Sequence, residues 1–206
     1  MTALFGHGPR IKSAEQIINE LEGLCNIGWR WRVFFVDDNF IGNKKYLENE
    51  LLPALIKWRK GKKGMPFYTQ TTINLADDQQ LMEMMVEAGF DEVFIGIETP
   101  DQESLAECNK DVNRGRNMLQ TVKRIQRTGL QVEGGFIIGF DSDRPTIFQR
   151  QTDFIQKSGI VTAMVGLLQA LPRTRLYKRL EQEGRLIGLG SGDNAVSYTH
   201  LTLPTN

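Results

Sequence analysis

Histidine and cysteine are almost missing from this chain, with two of each among 206 residues. His7 and His200 lie near opposite ends, so no hydrolytic triad can be assembled from them. A zinc hydrolase in a barrel draws several ligands from histidine, and that chemistry is excluded as well. Cys25 and Cys108 are far apart in helix-like sequence and form no metal motif; they suit reduced, half-buried thiols in a reducing compartment. An excess of either charge is also lacking. With 25 basic and 25 acidic side chains, no global field draws the protein to nucleic acid or to an anionic membrane. No run of about 18 apolar residues is long enough to span a bilayer, and no charged n-region precedes an apolar stretch. The expectation is a cytoplasmic protein with no transmembrane segment, whose small-molecule substrate must be argued from sites.

What the chain does have is a period. Short β-rich runs alternate with amphipathic segments roughly every 30 to 40 residues, the length of a βα unit. Strands are expected over Trp31–Val36, Pro66–Thr72, Glu92–Ile97, Gln131–Ile138 and Val161–Gln169, several nearly continuous in apolar residues as buried parallel strands require. Helices are expected over Ala14–Leu24, Lys44–Trp58, Gln79–Ala88, Arg116–Arg127, Pro145–Lys157 and Arg175–Glu183. Ser13 with Gln16 has capping-box spacing, and Gly89 and Gly129 stand where helices should stop. The pattern is α/β with a parallel sheet, one domain over residues 1–194. Met1–Arg10 is too short and glycine-rich to supply a strand before the first helix, so the opening unit reads as cut. Residues 195–206 lose the period and read as a non-native or disordered tail, resembling translated sequencing-adapter DNA.

In a parallel α/β barrel or half-barrel, working residues gather at the C-terminal ends of strands. The first such end carries Asp37, Asp38 and Asn39, a set able to accept hydrogen bonds from a ligand ammonium group or to hold a divalent cation. The competing reading is a helix cap by Asn39 or Asn43. On the second strand, alternation sends Gln70, Thr72 and Asn74 to one side, a ladder of uncharged hydrogen-bonding groups. Asp77 and Asp78 fit cap and dipole partners of the next helix better than ligands. Glu98 ends an apolar strand and needs a partner or a ligand, because an unpaired buried carboxylate is costly. Glycines 134, 135 and 139 weaken the fourth strand unless backbone must approach something: a flat base, or else a bulge or tight packing. They lack the order of a dinucleotide-binding turn or a phosphate loop. Gln169 and Arg173 follow the last strand. Trp29, Trp31 and Trp58 fall at packing positions.

Taken together, FFVDDNFIGN (34–43), TINLADD (72–78), VFIGIETP (93–100), GGFIIGFDSD (134–143) and VGLLQALP (165–172) resemble the radical S-adenosylmethionine (SAM) family, cobalamin-associated type. The likeness runs from Thr2 to about Asn194. It implies a partial parallel (β/α) TIM-like barrel that holds a 4Fe-4S cluster and SAM. An electron from the cluster would cleave SAM to methionine and a 5′-deoxyadenosyl radical. It implies an electron donor protein, possible use of cobalamin, and a parent enzyme acting as a methyltransferase or cyclase on a cofactor, lipid or natural-product precursor. By the resemblance, Asp37, Asp38 and Asn39 receive the SAM amino group, and Glu98 lies near the ribose and methionine moiety. Ile137, Ile138 and Gly139 run beside adenine. The cluster-binding C-x-x-x-C-x-x-C loop of relatives is absent and would precede Thr2, so this chain is expected to be an inactive fragment truncated at its N-terminus. Gln70 replaces a common acid, and Arg173 stands where a glycine is expected after Pro172. The alternative is a stand-alone α/β module binding a nucleotide-like molecule without redox chemistry.

Overall fold

The computed structural model describes residues 11–186; the expected tail over 195–206 lies outside them. Helix α1 (Ala14–Asn26) opens on the anticipated capping box, with Ser13 accepting from the Gln16 amide and the Gln16 side chain accepting from the Ser13 amide. There follow β1 (Val33–Phe35), α2 (Lys44–Tyr46), α3 (Leu52–Arg59), β2 (Phe67–Thr71), α4 (Gln79–Ala88) and β3 (Phe90–Glu98). The remainder is α5 (Gln102–Glu107), α6 (Met118–Arg127), β4 (Gln131–Ile138), α7 (Ile147–Ser158), β5 (Thr162–Leu167) and α8 (Arg175–Gln182). The five strands form one sheet in sequence order, with β1–β2, β2–β3 and β4–β5 each parallel. That is the α/β pattern the period implies. Among the described residues no helix is long and apolar enough to cross a membrane.

The chain divides into two compact units. One holds the described residues up to Ile95 together with Val122–Val132, the other Gly96–Thr121 and the described residues from Glu133 onward. The first is built on an aromatic cluster: Phe35, Phe67 and Phe90 meet at ring-centroid distances of 5.0–5.4 Å, and Phe40 and Trp58 pack around them. Arg59 staples this unit. Its guanidinium lies 4.4 Å from the Phe67 ring centre and donates to the Ala88, Gly64 and Met65 carbonyls. It fills the space where a side chain on Gly89 would sit, so that left-handed C-cap has two reasons to be glycine. In the second unit Phe136 packs on Phe154, while Ile97, Leu105, Phe140, Ile147 and Leu180 are buried.

Several boundaries differ from the sequence reading. The strands at both ends are shorter than Trp31–Val36 and Val161–Gln169, covering only Val33–Phe35 and Thr162–Leu167. The expected helix over Lys44–Trp58 is interrupted by a π-helical turn, Leu47–Leu51. Pro53 explains it: proline offers no amide to the preceding turn and its ring crowds that turn's carbonyl, so the wider turn comes first. Helix α6 begins at Met118 rather than Arg116. Helix α5 escaped notice because six residues carry too little periodicity; Asp101 starts it by accepting from the Glu103 and Ser104 amides.

Candidate functional site

In the first unit the loop after β1 borders a cavity of about 460 Å³ lined by Phe35, Asp37, Asn39, Tyr46 and apolar residues of α1. Among the described residues neither Asp37 nor Asp38 has an ion-pair partner. Partial burial, and then the charge on Asp38, push the Asp37 carboxyl above its usual range. The cap reading is divided between the two asparagines. Asn43 caps α2 through the Tyr46 amide at 3.2 Å, whereas Asn39 makes no cap and instead accepts from the Thr72 amide at 3.2 Å. The Thr72 hydroxyl lies 3.3 Å from Asn39 Oδ1 and donates to Asn74 Oδ1 at 2.5 Å. Three expected site residues thus join the loops after β1 and β2. Gln70 is half-buried, on the strand face opposite the buried Thr69 and Thr71. Asp78 caps α4 as anticipated, and its hydrogen bond from Lys44 holds its carboxyl below the usual range.

In the second unit Glu98 ends β3 with a left-handed φ of 66° and takes Lys110 Nζ at 2.7 Å. The pair lies over Gly96, where a Cβ would come within 2.6 Å of Glu98 Oε1. Beside it the buried Asn113 donates to the Gly96 and Ile97 carbonyls, each at 3.0 Å. Neither Lys110 nor Asn113 was singled out from the sequence; each lies more than ten residues beyond Glu98, with no local pattern tying it to β3. The glycine question at β4 has a partial answer. A Cβ on Gly134 would meet the Phe136 ring at 2.7 Å and Ile160 at 3.2 Å, so Gly134 serves tight packing. Ile137 and Ile138 end the strand half-buried, and Gly139 turns the chain at φ 104°. Gln169 is exposed just past β5, and Arg173 holds a left-handed φ of 70° at the place where a glycine was expected.

The profile of the radical SAM superfamily matches residues 4–167. This chain belongs to the radical SAM superfamily. It is 43% identical over 191 residues to "Uncharacterized methyltransferase sll1242" of Synechocystis sp., covering 92% of this chain and 35% of that protein. It is 41% identical over 203 residues to the "Hopanoid C-2 methylase" of Rhodopseudomonas palustris, covering 98% of this chain and 38% of that protein. The chain therefore spans little more than a third of these relatives. The methyltransferase TsrM from Kitasatospora setae, solved with cobalamin and a [4Fe-4S] cluster bound, superimposes with a TM-score of 0.70 at 14% identity, over 94% of this chain and 38% of TsrM, which shows a shared fold. Among the described residues of the present radical SAM chain no group of three His, Cys, Asp or Glu side chains is placed to hold a metal, and Cys25 and Cys108 are separate and half-buried. They do not fit a cluster.

Proposed function

We propose that this chain supplies SAM-binding residues to a longer radical SAM methyltransferase. The observation that carries the reading is the end of β1: two carboxylates without a cation among the described residues, one with its pKa pushed up, beside a cavity. An ammonium and sulfonium ligand brings the positive charge this place lacks. Asp37 and Asp38 receive the amino group, and Asn39, fixed by Thr72 with Asn74, keeps the loop in place. Gln70 and Gln169 offer further uncharged contacts. In the second unit Glu98, with Oε1 on Lys110, uses Oε2 to accept from a ribose hydroxyl. Ile137, Ile138 and Gly139 run beside adenine. SAM, when bound, supplies a sulfonium methyl group and a carbon–sulfur bond open to one-electron cleavage.

The names of the relatives support methylation by the longer protein, and the cobalamin in TsrM supports cobalamin as a further cofactor there. A cofactor, lipid or natural-product precursor as substrate, an external electron donor and a cytoplasmic site complete the proposal. The described residues 11–186 belong to its barrel core. For the chain alone, the lack of cluster ligands among the described residues favours binding without redox chemistry. The test is calorimetric titration of the chain with SAM, wild type against Asp37→Asn/Asp38→Asn, with reductant-dependent release of 5′-deoxyadenosine assayed in parallel. The expected result is binding by wild type, at least about tenfold weaker in the double variant, and no release. Unchanged affinity in the variant sinks the assignment, and release by the chain alone sinks the binding-only reading.

A further inference from the structure

The backbone that leaves β4 is held by side chains that take no part in the assignments above. Gln151, buried on α7, donates Nε2 to the Ile137 carbonyl at 2.9 Å, and the Leu168 amide donates to the Ile138 carbonyl at 2.8 Å. Asp143 reaches back over the turn: its Oδ2 accepts from the Gly139 and Phe140 amides at 2.8 and 3.1 Å. Its Oδ1 accepts from the hydroxyl of Ser104, which is 0% exposed, at 2.8 Å. Glu107 then accepts from the Asp141 and Ser142 amides at 3.2 and 3.1 Å. A carboxylate bonded by two amides and a buried hydroxyl fixes the direction in which a strand end presents its peptide groups.

We infer that Asp143 and Ser104 are positioning residues for adenine, acting through the peptide groups of Ile137–Gly139 without touching the ligand. The inference rests on the proposal that this segment runs beside the base. Backbone recognition of a flat base requires peptide groups in place to within about half an ångström, and a segment ordered beforehand loses less on binding. The left-handed Gly139 makes the turn intrinsically adaptable, so something else must fix it. Asp143, held by Ser104, does so through the Gly139 and Phe140 amides, and Gln151 through the Ile137 carbonyl.

The test titrates the full chain separately with 5′-deoxyadenosine and with L-methionine, for wild type, Asp143→Ala, Asp143→Asn and Ser104→Ala. Asp143→Ala is expected to weaken 5′-deoxyadenosine about tenfold and Ser104→Ala about threefold, with methionine affinity unchanged and faster amide exchange at Gly139 and Phe140. Asp143→Asn keeps an acceptor oxygen and should fall between them. Should Asp143→Ala fail to fold, Ser104→Ala, which leaves both amide bonds to Asp143, decides. Unchanged 5′-deoxyadenosine affinity, or equal loss for both ligands, overturns the positioning role. Wild type that binds methionine but not 5′-deoxyadenosine overturns the adenine assignment itself.

Discussion

At the end of β1 two carboxylates stand without a cation among the described residues; at the turn after β4 the carboxylates of Glu107, Asp141 and Asp143 are crowded with donors. Arg179 and Arg185 pair with Asp141, and backbone amides occupy the other two. The same residue types do opposite work. In the second unit acid is framework, its charge consumed by amides and guanidinium groups. At the end of β1 it is left over, although elsewhere in the first unit Asp78 pairs with Lys44 and Glu92 with Arg32; an unspent carboxylate is how a protein keeps charge available for something that arrives later.

That contrast is open to test by stability measurements, the largest effect first. Glu107→Ala frees two amides and a serine hydroxyl and should cost about 3 kcal/mol in urea unfolding. Lys110→Met leaves Glu98 without its cation in a half-buried position and should cost about 2 kcal/mol; Glu98→Gln/Lys110→Met should recover part of it. Arg173→Gly relieves a left-handed non-glycine residue and should gain up to about 1 kcal/mol. Asp37→Asn should change stability least, by less than about 0.5 kcal/mol and in the stabilising direction at neutral pH. Asp37→Asn that destabilises as strongly as Glu107→Ala would erase the contrast.

The two regions should also respond to acid with opposite sign. The Arg185 hydrogen bonds hold the Asp141 carboxyl below its ordinary range, so its contribution is complete above about pH 4 and disappears as pH falls through the lower folded value. Asp37 is displaced upward, so its charge costs stability above about pH 4 and protonation relieves that cost. Acid titration of chemical stability should show a smaller acid loss in Asp141→Asn than in wild type, and a larger one in Asp37→Asn.

Much of the fold was readable because the signals were local. The capping box at Ser13, the stop at Gly89 and the bounds of α4 and β4 follow from neighbours within one turn or one strand. Candidate site residues were readable as strand ends: Asn39, Thr72 and Asn74 do converge. Their partners were not. Lys110 under Glu98 and Ser104 under Asp143 meet across 12 and 39 residues, a separation at which sequence carries no period. Nor was burial readable from composition. The apolar run of β5 looks like a buried strand, yet Met164, Val165 and Leu167 are exposed, while the threonines of β2 are buried at positions 69 and 71.

The division of the chain carries a consequence for synthesis. The first unit is interrupted: it needs Val122–Val132, which the ribosome makes only after Gly96–Thr121 of the second. A unit that lacks most of α6 and the start of β4 until Val132 emerges cannot finish folding before that point. The nascent chain therefore carries the first unit incomplete past the point where a contiguous domain would have closed.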